Sequence, residues 1–199
     1  MSVLITAALE GKVDLAVLER ILRDFGASLA SIHGLKGKDH LRRNLRGYNR
    51  AAERSHWTVL ADLNHEAACA PELARLWLPD PAPYMCLQIA VREVEAWLMA
   101  DAIQLSRFLA VPVARIPANP EAVPNPKRTV VDLARQSRRG NIRKALVPRP
   151  GSGREVGPAY ETFMQDFART KWRPQEAEAR SLSLRRYRRR LQAFRGAEP

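Results

Sequence analysis

The chain has 199 residues, 46% of them apolar, which suits one well-buried domain with an appendage and excludes a disordered chain. No apolar run reaches the length of a membrane span, and the first ten residues lack the basic segment and cleavage site of a signal peptide. Cys69 and Cys86 lie in apolar surroundings, so we expect buried thiols rather than a disulfide. These features predict a cytoplasmic protein that does not enter the membrane.

Hydrophobic runs of strand length alternate with segments of helical period over the first hundred residues. Strands are predicted at residues 2–9, 29–32, 57–63 and 85–91, of which the second is the weakest. Helices are predicted at residues 13–25, 38–54, 66–78 and 93–109, with Asp101 as a candidate second cap inside the last. This order predicts an α/β fold with a parallel sheet that is covered by helices on both faces.

The character of the sequence changes after Val111. We expect a core at residues 1–110, a proline-rich extended connector at 111–126 and a basic helical C-terminal region at 127–199, packed on the core. Within this last region, helices are predicted at residues 127–137, 158–171 and 182–195, and a long loop from residue 140 to residue 153. Trp97 and the Tyr and Phe residues at helical spacing are expected in the core.

The net charge of +12 is unevenly distributed. Residues 1–124 hold 14 basic and 14 acidic residues, whereas residues 125–199 hold 19 basic and 7 acidic residues. A neutral body with a basic tail is typical of a protein that binds a polyanion such as nucleic acid; the alternative is the solvated surface of an arginine-rich protein. The residues expected to bind nucleic acid are Lys127, Arg128, Arg138, Arg139, Arg143, Lys144, Arg154, Arg185, Arg186 and Arg189.

Carboxylates follow the predicted strands at the points where they end: Glu10, Asp62, Glu93 and Glu95. The carboxyl ends of parallel strands meet at one edge of a sheet, so these side chains are expected to converge. Oxygen ligands of this kind suit Mg²⁺ or Mn²⁺, which can stabilise the oxygens of a phosphodiester during cleavage. The alternative for Glu10 and Asp62 is a structural role as a helix cap or a first-turn partner of the helix dipole.

Five segments carry a resemblance to a known family. Leu-Glu-Gly-Lys-Val-Asp at 9–14 and Val-Leu-Ala-Asp-Leu-Asn at 59–64 resemble the first two motifs of the Toprim family. The segments at 90–101, 125–128 and 151–160 resemble one uncharacterised family of Toprim-like bacterial proteins, the domain of unknown function 4276. The resemblance covers most of the chain and implies a Toprim- or Rossmann-like fold.

The resemblance also implies site residues and an activity. It implies that Glu10 is a catalytic or metal-orienting glutamate and Asp62 a metal ligand of a magnesium-dependent nuclease. Asn64 stands where the family pattern has a second aspartate and is expected to be a metal ligand of lower affinity, for which Glu66, Glu93 or Glu95 would compensate. Proteins of this kind often belong to antiphage or toxin modules with an ATPase partner. The chain has no Walker motif, so any ATP dependence would come from that second protein.

Other interpretations remain open at this stage. One is a catalytically inactive nucleic-acid-binding or scaffold subunit, and another is an enzyme that transfers phosphate to a small molecule.

Lys127 begins a helix, where a cation opposes the helix dipole, so it is a candidate phosphate contact. The segment Gly-Ser-Gly-Arg at 151–154 is either a phosphate-contacting loop or a turn, and His65 with Cys69 is a weak zinc candidate. The sequence is also compatible with an oligomer.

Overall fold

The computed structural model describes residues 3–196 and contains a four-stranded parallel sheet. The strands are β1 (Leu4–Leu9), β2 (Ser28–Gly34), β3 (Trp57–Asp62) and β4 (Met85–Ala90), in the order β2-β1-β3-β4. All three strand pairs are parallel, and β1 lies beside β3 although α1, β2 and α2 separate them in the sequence. The predicted α/β fold of Rossmann-like type is confirmed. Ser2 of the first predicted strand and residues 197–199 lie outside the described residues.

The helices follow the strands as the alternating pattern predicts, and the predicted helix at 93–109 is two helices that meet at Asp101. The Asp101 side chain caps the second of them by accepting a hydrogen bond from the backbone N–H of Gln104. The helices are α1 (Lys12–Asp24), α2 (Lys38–Ala51), α3 (Ala70–Trp77), α4 (Val94–Ala100), α5 (Ala102–Leu109), α6 (Pro126–Arg135), α7 (Gly140–Leu146), α8 (Tyr160–Thr170), α9 (Pro174–Ala177) and α10 (Leu182–Ala193).

Three predictions of local structure are wrong. The predicted helix at 66–78 begins only at Ala70, because Pro71 sits in its first turn, where proline is accommodated, and residues 66–69 form bends. The predicted loop after Gly140 is helix α7, which buries Ile142. The connector at 111–126 is not simply extended, since it contains two short 3-10 turns, Val113–Arg115 and Pro120–Ala122.

Alternate residues of the strands point to two separate cores. Leu9 and Leu60 face the larger core, which α1 and α4–α8 share with α10. Val59, Ala61 and Ile89 face the smaller core, which α2 and α3 cover. This period of two is the side-chain alternation of a pleated strand, and the burial of both faces explains why β3 and β4 are apolar throughout.

The C-terminal helices contribute side chains to the larger core and bond to the sheet. The Tyr187 hydroxyl lies 2.8 Å from the Thr58 hydroxyl of β3, and the Trp97 indole donates to Ser183 at 2.7 Å. Trp97 is completely buried, as predicted. No helix among residues 3–196 is long and apolar enough to cross a bilayer.

Two side chains differ from expectation in their burial. Cys86 is buried as predicted, but Cys69 is exposed at the start of α3, so the expectation of two buried thiols is wrong for that residue. Arg188 lies among the exposed arginines of α10 in sequence, yet its side chain is only 6% exposed and is ion-paired with Asp24 at 2.8 Å. It also lies over the ring of Phe25 at 4.9 Å, so this arginine has a structural role.

Candidate functional site

Two carboxylates at the strand ends, those of Glu10 and Asp62, accept hydrogen bonds that connect neighbouring elements at this edge of the sheet. The Glu10 Oε1 atom accepts a hydrogen bond from the backbone N–H of Asp62 at 2.9 Å, and the Asp62 Oδ1 atom accepts one from the backbone N–H of Val94 at 3.0 Å. Consequently the ends of β1 and β3 and the start of α4 are fixed relative to one another. Glu10 and Asp62, which sequence reasoning placed at one sheet edge, do meet there.

Asp14 also belongs to this group, although sequence reasoning did not select it as a site residue. Its Oδ2 atom accepts a hydrogen bond from the backbone N–H of Gly11 at 3.0 Å, which is the ordinary role of an acid in the first turn of a helix. Its Oδ1 atom is buried without a hydrogen-bond partner. The signal was present as the aspartate that follows Glu-Gly, but its spacing alone also fits a helix cap.

Asp14, Asp62 and Glu95 line one cleft of about 390 Å³. Glu95 is buried on the first turn of α4, where its Oε1 atom accepts a hydrogen bond from the Tyr160 hydroxyl at 3.2 Å and its Oε2 atom has no partner. The cleft therefore contains two buried carboxylate oxygens, one from Asp14 and one from Glu95, that nothing in the described chain satisfies. The other lining residues are Gly11, Lys12, Val13, Val94, Lys127, Glu155, Val156, Tyr160 and Glu161.

Lys127 is the nearest cation to these acids. Its Nζ atom lies 3.8 Å from Glu95 Oε1 and 3.9 Å from Glu93 Oε1, and its backbone N–H donates to Glu93 Oε2 at 2.7 Å. Glu95 and, less strongly, Glu93 raise the pKa of Lys127, so it stays charged. The nearby carboxylates of Glu93 and Glu95 therefore explain why the cation Lys127 stands at the start of α6, where it opposes the helix dipole. Its role as a phosphate contact stays a prediction.

Burial of several acids in one place raises their pKa values. Burial first, and then the charges of Glu10 and Glu95, raise the pKa of Asp14 to about 8. Burial, with Asp14 and Glu95 as the nearest charges, raises the pKa of Asp62 well above its usual value. Burial likewise raises the pKa values of Glu10 and Glu95. Full ionisation of the cluster at neutral pH therefore needs more positive charge than Lys127 supplies.

Asn64 and Glu66 lie outside the set that lines the cleft. Asn64 has a left-handed backbone (φ 49°), its N–H donates to Arg92 O, and its carbonyl accepts from the Arg92 guanidinium at 2.7 Å. The Glu66 carboxylate pairs with Lys38 at 2.6 Å. Glu93 also lies outside that set and points its carboxylate at Lys127. Asn64 and Glu93 remain predicted metal ligands that no contact in the structure supports.

The chemistry of the donors suits a hard divalent cation, although the side chains are not arranged around one. Buried carboxylate oxygens, two of them without partners, are the ligands that Mg²⁺ and Mn²⁺ prefer. Among residues 3–196, however, no three His, Cys, Asp or Glu side chains are arranged to hold a metal ion. Asp14, Asp62 and Glu95 would have to change side-chain conformation to hold one ion together.

Most of the predicted nucleic-acid-binding residues are on the surface. Arg143 and Arg185 are partly engaged, because their guanidinium groups donate to the carbonyl oxygens of Ser137 and Glu178. Arg154 lies in a loop between Gly151 and Gly153 on one side and the cleft residue Glu155 on the other. The other exposed side chains fall into one group at α6 and α7, one at this loop and one on α10: Arg128, Arg138, Arg139, Lys144, Arg154, Arg186 and Arg189.

Comparisons with family models, curated proteins and solved structures gave no match to this chain. The function is therefore inferred from the geometry of the cleft and the distribution of charge.

Proposed function

We propose that the protein is a Toprim-like nuclease that hydrolyses phosphodiester bonds of DNA or RNA with Mg²⁺ or Mn²⁺. The observation that carries this proposal is the pair of buried, unpartnered carboxylate oxygens of Asp14 and Glu95 in the cleft that Asp62 also lines. An unsatisfied buried oxygen costs about 1–3 kcal/mol, and more when it is charged. A bound cation would remove that cost.

Asp14, Asp62 and Glu95 are the residues that would hold the ion. When bound, a divalent ion supplies charge neutralisation at the phosphate and a water of lowered pKa. Glu10 is a positioning residue in this proposal, since its carboxylate fixes the backbone of Asp62. Tyr160 and Lys127 both contact the Oε1 atom of Glu95, so Oε2 is the oxygen that is left without a partner.

The substrate class follows from the charge of the surface. Exposed cations of the C-terminal region, such as Arg138, Arg186 and Arg189, would contact the phosphate backbone without reading base sequence. A cytoplasmic location, an ATPase partner and a role in antiphage defence belong to the proposal through the Toprim resemblance.

A second candidate function is a nucleic-acid-binding subunit without catalysis. Two observations favour it: Lys127 already supplies a positive charge to Glu93 and Glu95, and no metal-binding group is preformed among the described residues. In that case the acids would be held partly protonated, and the cleft would serve as part of a scaffold.

Metal-dependent cleavage separates the two candidates. We would incubate labelled single-stranded RNA and plasmid DNA with the protein and Mn²⁺, and compare Asp62→Asn and Asp14→Asn with Glu72→Gln, an exposed acid on α3 that removes the same charge. The nuclease proposal expects a loss of cleavage of at least about a hundredfold in the first two variants and none in the third. Nucleic-acid binding with no cleavage in any condition would favour the scaffold.

A further inference from the structure

A second cavity has no lining residue in common with the carboxylate cleft. It has a volume of about 420 Å³ and lies between α3, the edge strand β4 and α10. Leu87 and Ile89 of β4, which line it, belong to the smaller core, whereas Val13 and Val94 of the cleft belong to the larger core on the other face of the sheet. We call this cavity the β4 groove, and its size is that of a small-molecule pocket, roughly 300–1,000 Å³.

Both helical walls of the β4 groove present apolar side chains. On α3, Ala70 and Ala74 are one turn apart and share a face of the helix, and their small side chains leave the space open. On α10, Leu182 lines the groove and is 48% exposed, although it is large and apolar. A ligand with an apolar body would remove these side chains from water, which favours its binding.

Three arginines also line the β4 groove. Arg186 and Arg190 follow Leu182 at intervals of four along α10, so these three residues lie on the face of the helix that borders the groove, and Arg92 lies just after β4. Arg92 and Arg190 each donate to one backbone carbonyl. Within the described part of the chain, none of the three arginines forms an ion pair, so their charges are not neutralised by the protein.

Glu121 lines the β4 groove as well, but its carboxylate is already engaged. The Oε1 atom accepts hydrogen bonds from the backbone N–H of Ser183 at 2.9 Å and from the hydroxyl of Ser181 at 2.6 Å. The Oε2 atom accepts one from the backbone N–H of Leu182 at 3.3 Å. Glu121 therefore holds the first turn of α10, and the groove keeps a positive charge that a negatively charged ligand would complement.

We infer that the β4 groove binds a small organic anion, whose apolar part lies between α3 and α10 and whose carboxylate or phosphate contacts Arg186 and Arg190. A guanidinium group suits either anion, because its parallel N–H donors can bind two oxygens of a carboxylate or a phosphate. This inference goes beyond the proposed function and does not rest on it, since the groove and the cleft share no residue.

The thiol of Cys69 allows occupancy of the β4 groove to be measured. Cys69 is exposed and lines the groove, whereas Cys86 is buried, so a thiol reagent should react with the folded protein at Cys69. The Cys69 thiolate attacks an aromatic disulfide, forms a mixed disulfide and releases an aromatic thiolate, whose absorbance gives the rate. We would compare dithiobis(nitrobenzoate), a dianion, with dithiodipyridine, which is neutral.

The test compares two double variants of equal charge. Arg186→Gln/Arg190→Gln removes the cations of the β4 groove, and Arg189→Gln/Arg195→Gln removes two exposed arginines that do not line it. At about 0.15 M salt, where charges beyond roughly 8 Å are screened, the first variant should slow the anionic reagent about tenfold and the neutral reagent less than about twofold. The control should change neither rate by more than about twofold. Ala74→Phe, which fills the groove and keeps every charge, should slow both reagents.

Protection of Cys69 identifies the anion. Phenyl phosphate or benzoate at millimolar concentration, the range expected for ligands of this size, should slow the reaction with dithiodipyridine about threefold or more in the wild-type protein and not in Arg186→Gln/Arg190→Gln. Protection by phenyl phosphate alone would assign a phosphate monoester, and protection by benzoate alone a carboxylate.

Three results would overturn the inference while leaving the proposed function standing. They are equal protection by inorganic phosphate, protection by single-stranded DNA but by neither small anion, and equal rates of the anionic reagent in the two double variants. Absence of metal-dependent cleavage would overturn the proposed function alone, because the reaction of Cys69 requires neither metal nor nucleic acid.

Discussion

Glu10 and Asp62, 52 positions apart in the sequence, are joined by a hydrogen bond from the Asp62 backbone N–H to the Glu10 carboxylate at 2.9 Å. This bond connects the end of β1 to the end of β3 at the sheet edge that bears the cleft. Glu10 therefore contributes to the site in two ways. Its hydrogen bond holds the backbone of Asp62 in place, and its carboxylate adds negative charge to the site.

Substitutions of Glu10 should separate these two contributions. Glu10→Ala leaves a buried N–H unsatisfied and should lower the free energy of unfolding by about 1–3 kcal/mol, together with complete loss of nuclease activity. Glu10→Gln keeps an acceptor oxygen and should retain stability while metal affinity falls. Urea unfolding and Mn²⁺ titration measure the two effects. Equal destabilisation by both variants would show that the hydrogen bond contributes nothing.

The raised pKa values predict how stability depends on pH. Asp14 has an ordinary pKa of 3.8 when unfolded and about 8 when folded, so between these values the folded state binds more protons. In the metal-free protein, stability should therefore be highest at low pH within this window and should fall as pH rises from about 4 to about 8. One such proton changes the slope by at most about 1.4 kcal/mol per pH unit.

Urea unfolding at several pH values in EDTA would test this, with Asp14→Asn as the comparison. The variant cannot titrate at position 14 and should show a shallower fall. Saturating Mn²⁺ should also flatten the profile, because the cation replaces the protons. A free energy of unfolding that rises steadily from pH 4 to pH 8 would contradict the raised pKa of Asp14 in the folded protein.

The Toprim pattern and the geometry of the cleft make different predictions for the effect of residue 64 on metal affinity. The Toprim pattern predicts that Asn64→Asp tightens metal binding about tenfold or more, by adding a charge to the ion's surroundings. In the structure Asn64 lies outside the cleft lining, held by Arg92. We expect Asn64→Asp to change Mn²⁺ affinity by less than about threefold. A tenfold gain by titration calorimetry would place position 64 at the ion.

Two neighbouring arginines of α10 should behave differently. Arg188→Gln removes one of the two arginines that pair with the buried Asp24, the other being Arg20, and should cost about 1.5–3 kcal/mol of stability. Arg189→Gln changes an exposed side chain, so its effect should stay within about 0.5 kcal/mol. Chemical denaturation of both variants measures the difference, and similar values for the two would contradict the structural role of Arg188.

Much of the fold could be predicted because β1, β3 and β4 are buried apolar runs whose length and spacing show in the sequence. The weak prediction for β2 has a physical cause: this edge strand is largely exposed, so burial imposes no pattern on it. Helix α7 was missed because its short sequence begins with Gly140 after a basic run, and its burial depends on contacts with α6 and α8.

The candidate site could be predicted only in part. Glu10, Asp62 and Glu95 were found because strand ends are visible in sequence, whereas Tyr160 is 65 positions from Glu95 and no local pattern links them. The concentration of positive charge in residues 36–54 was overlooked because it is offset by acids elsewhere in the first 124 residues. Local charge on one helix face carries information that the total over a long segment conceals.

Proton release on metal binding is the most direct test of the central claim that raised-pKa carboxylates form a cation site. Mn²⁺ would be titrated into the wild-type protein at pH 7.5 by calorimetry in two buffers of different ionisation enthalpy. We predict binding with release of protons, and a smaller release for Asp14→Asn, because Asp14 has a pKa of about 8 in the folded protein. Absence of binding at millimolar Mn²⁺, or binding without proton release, would contradict the claim.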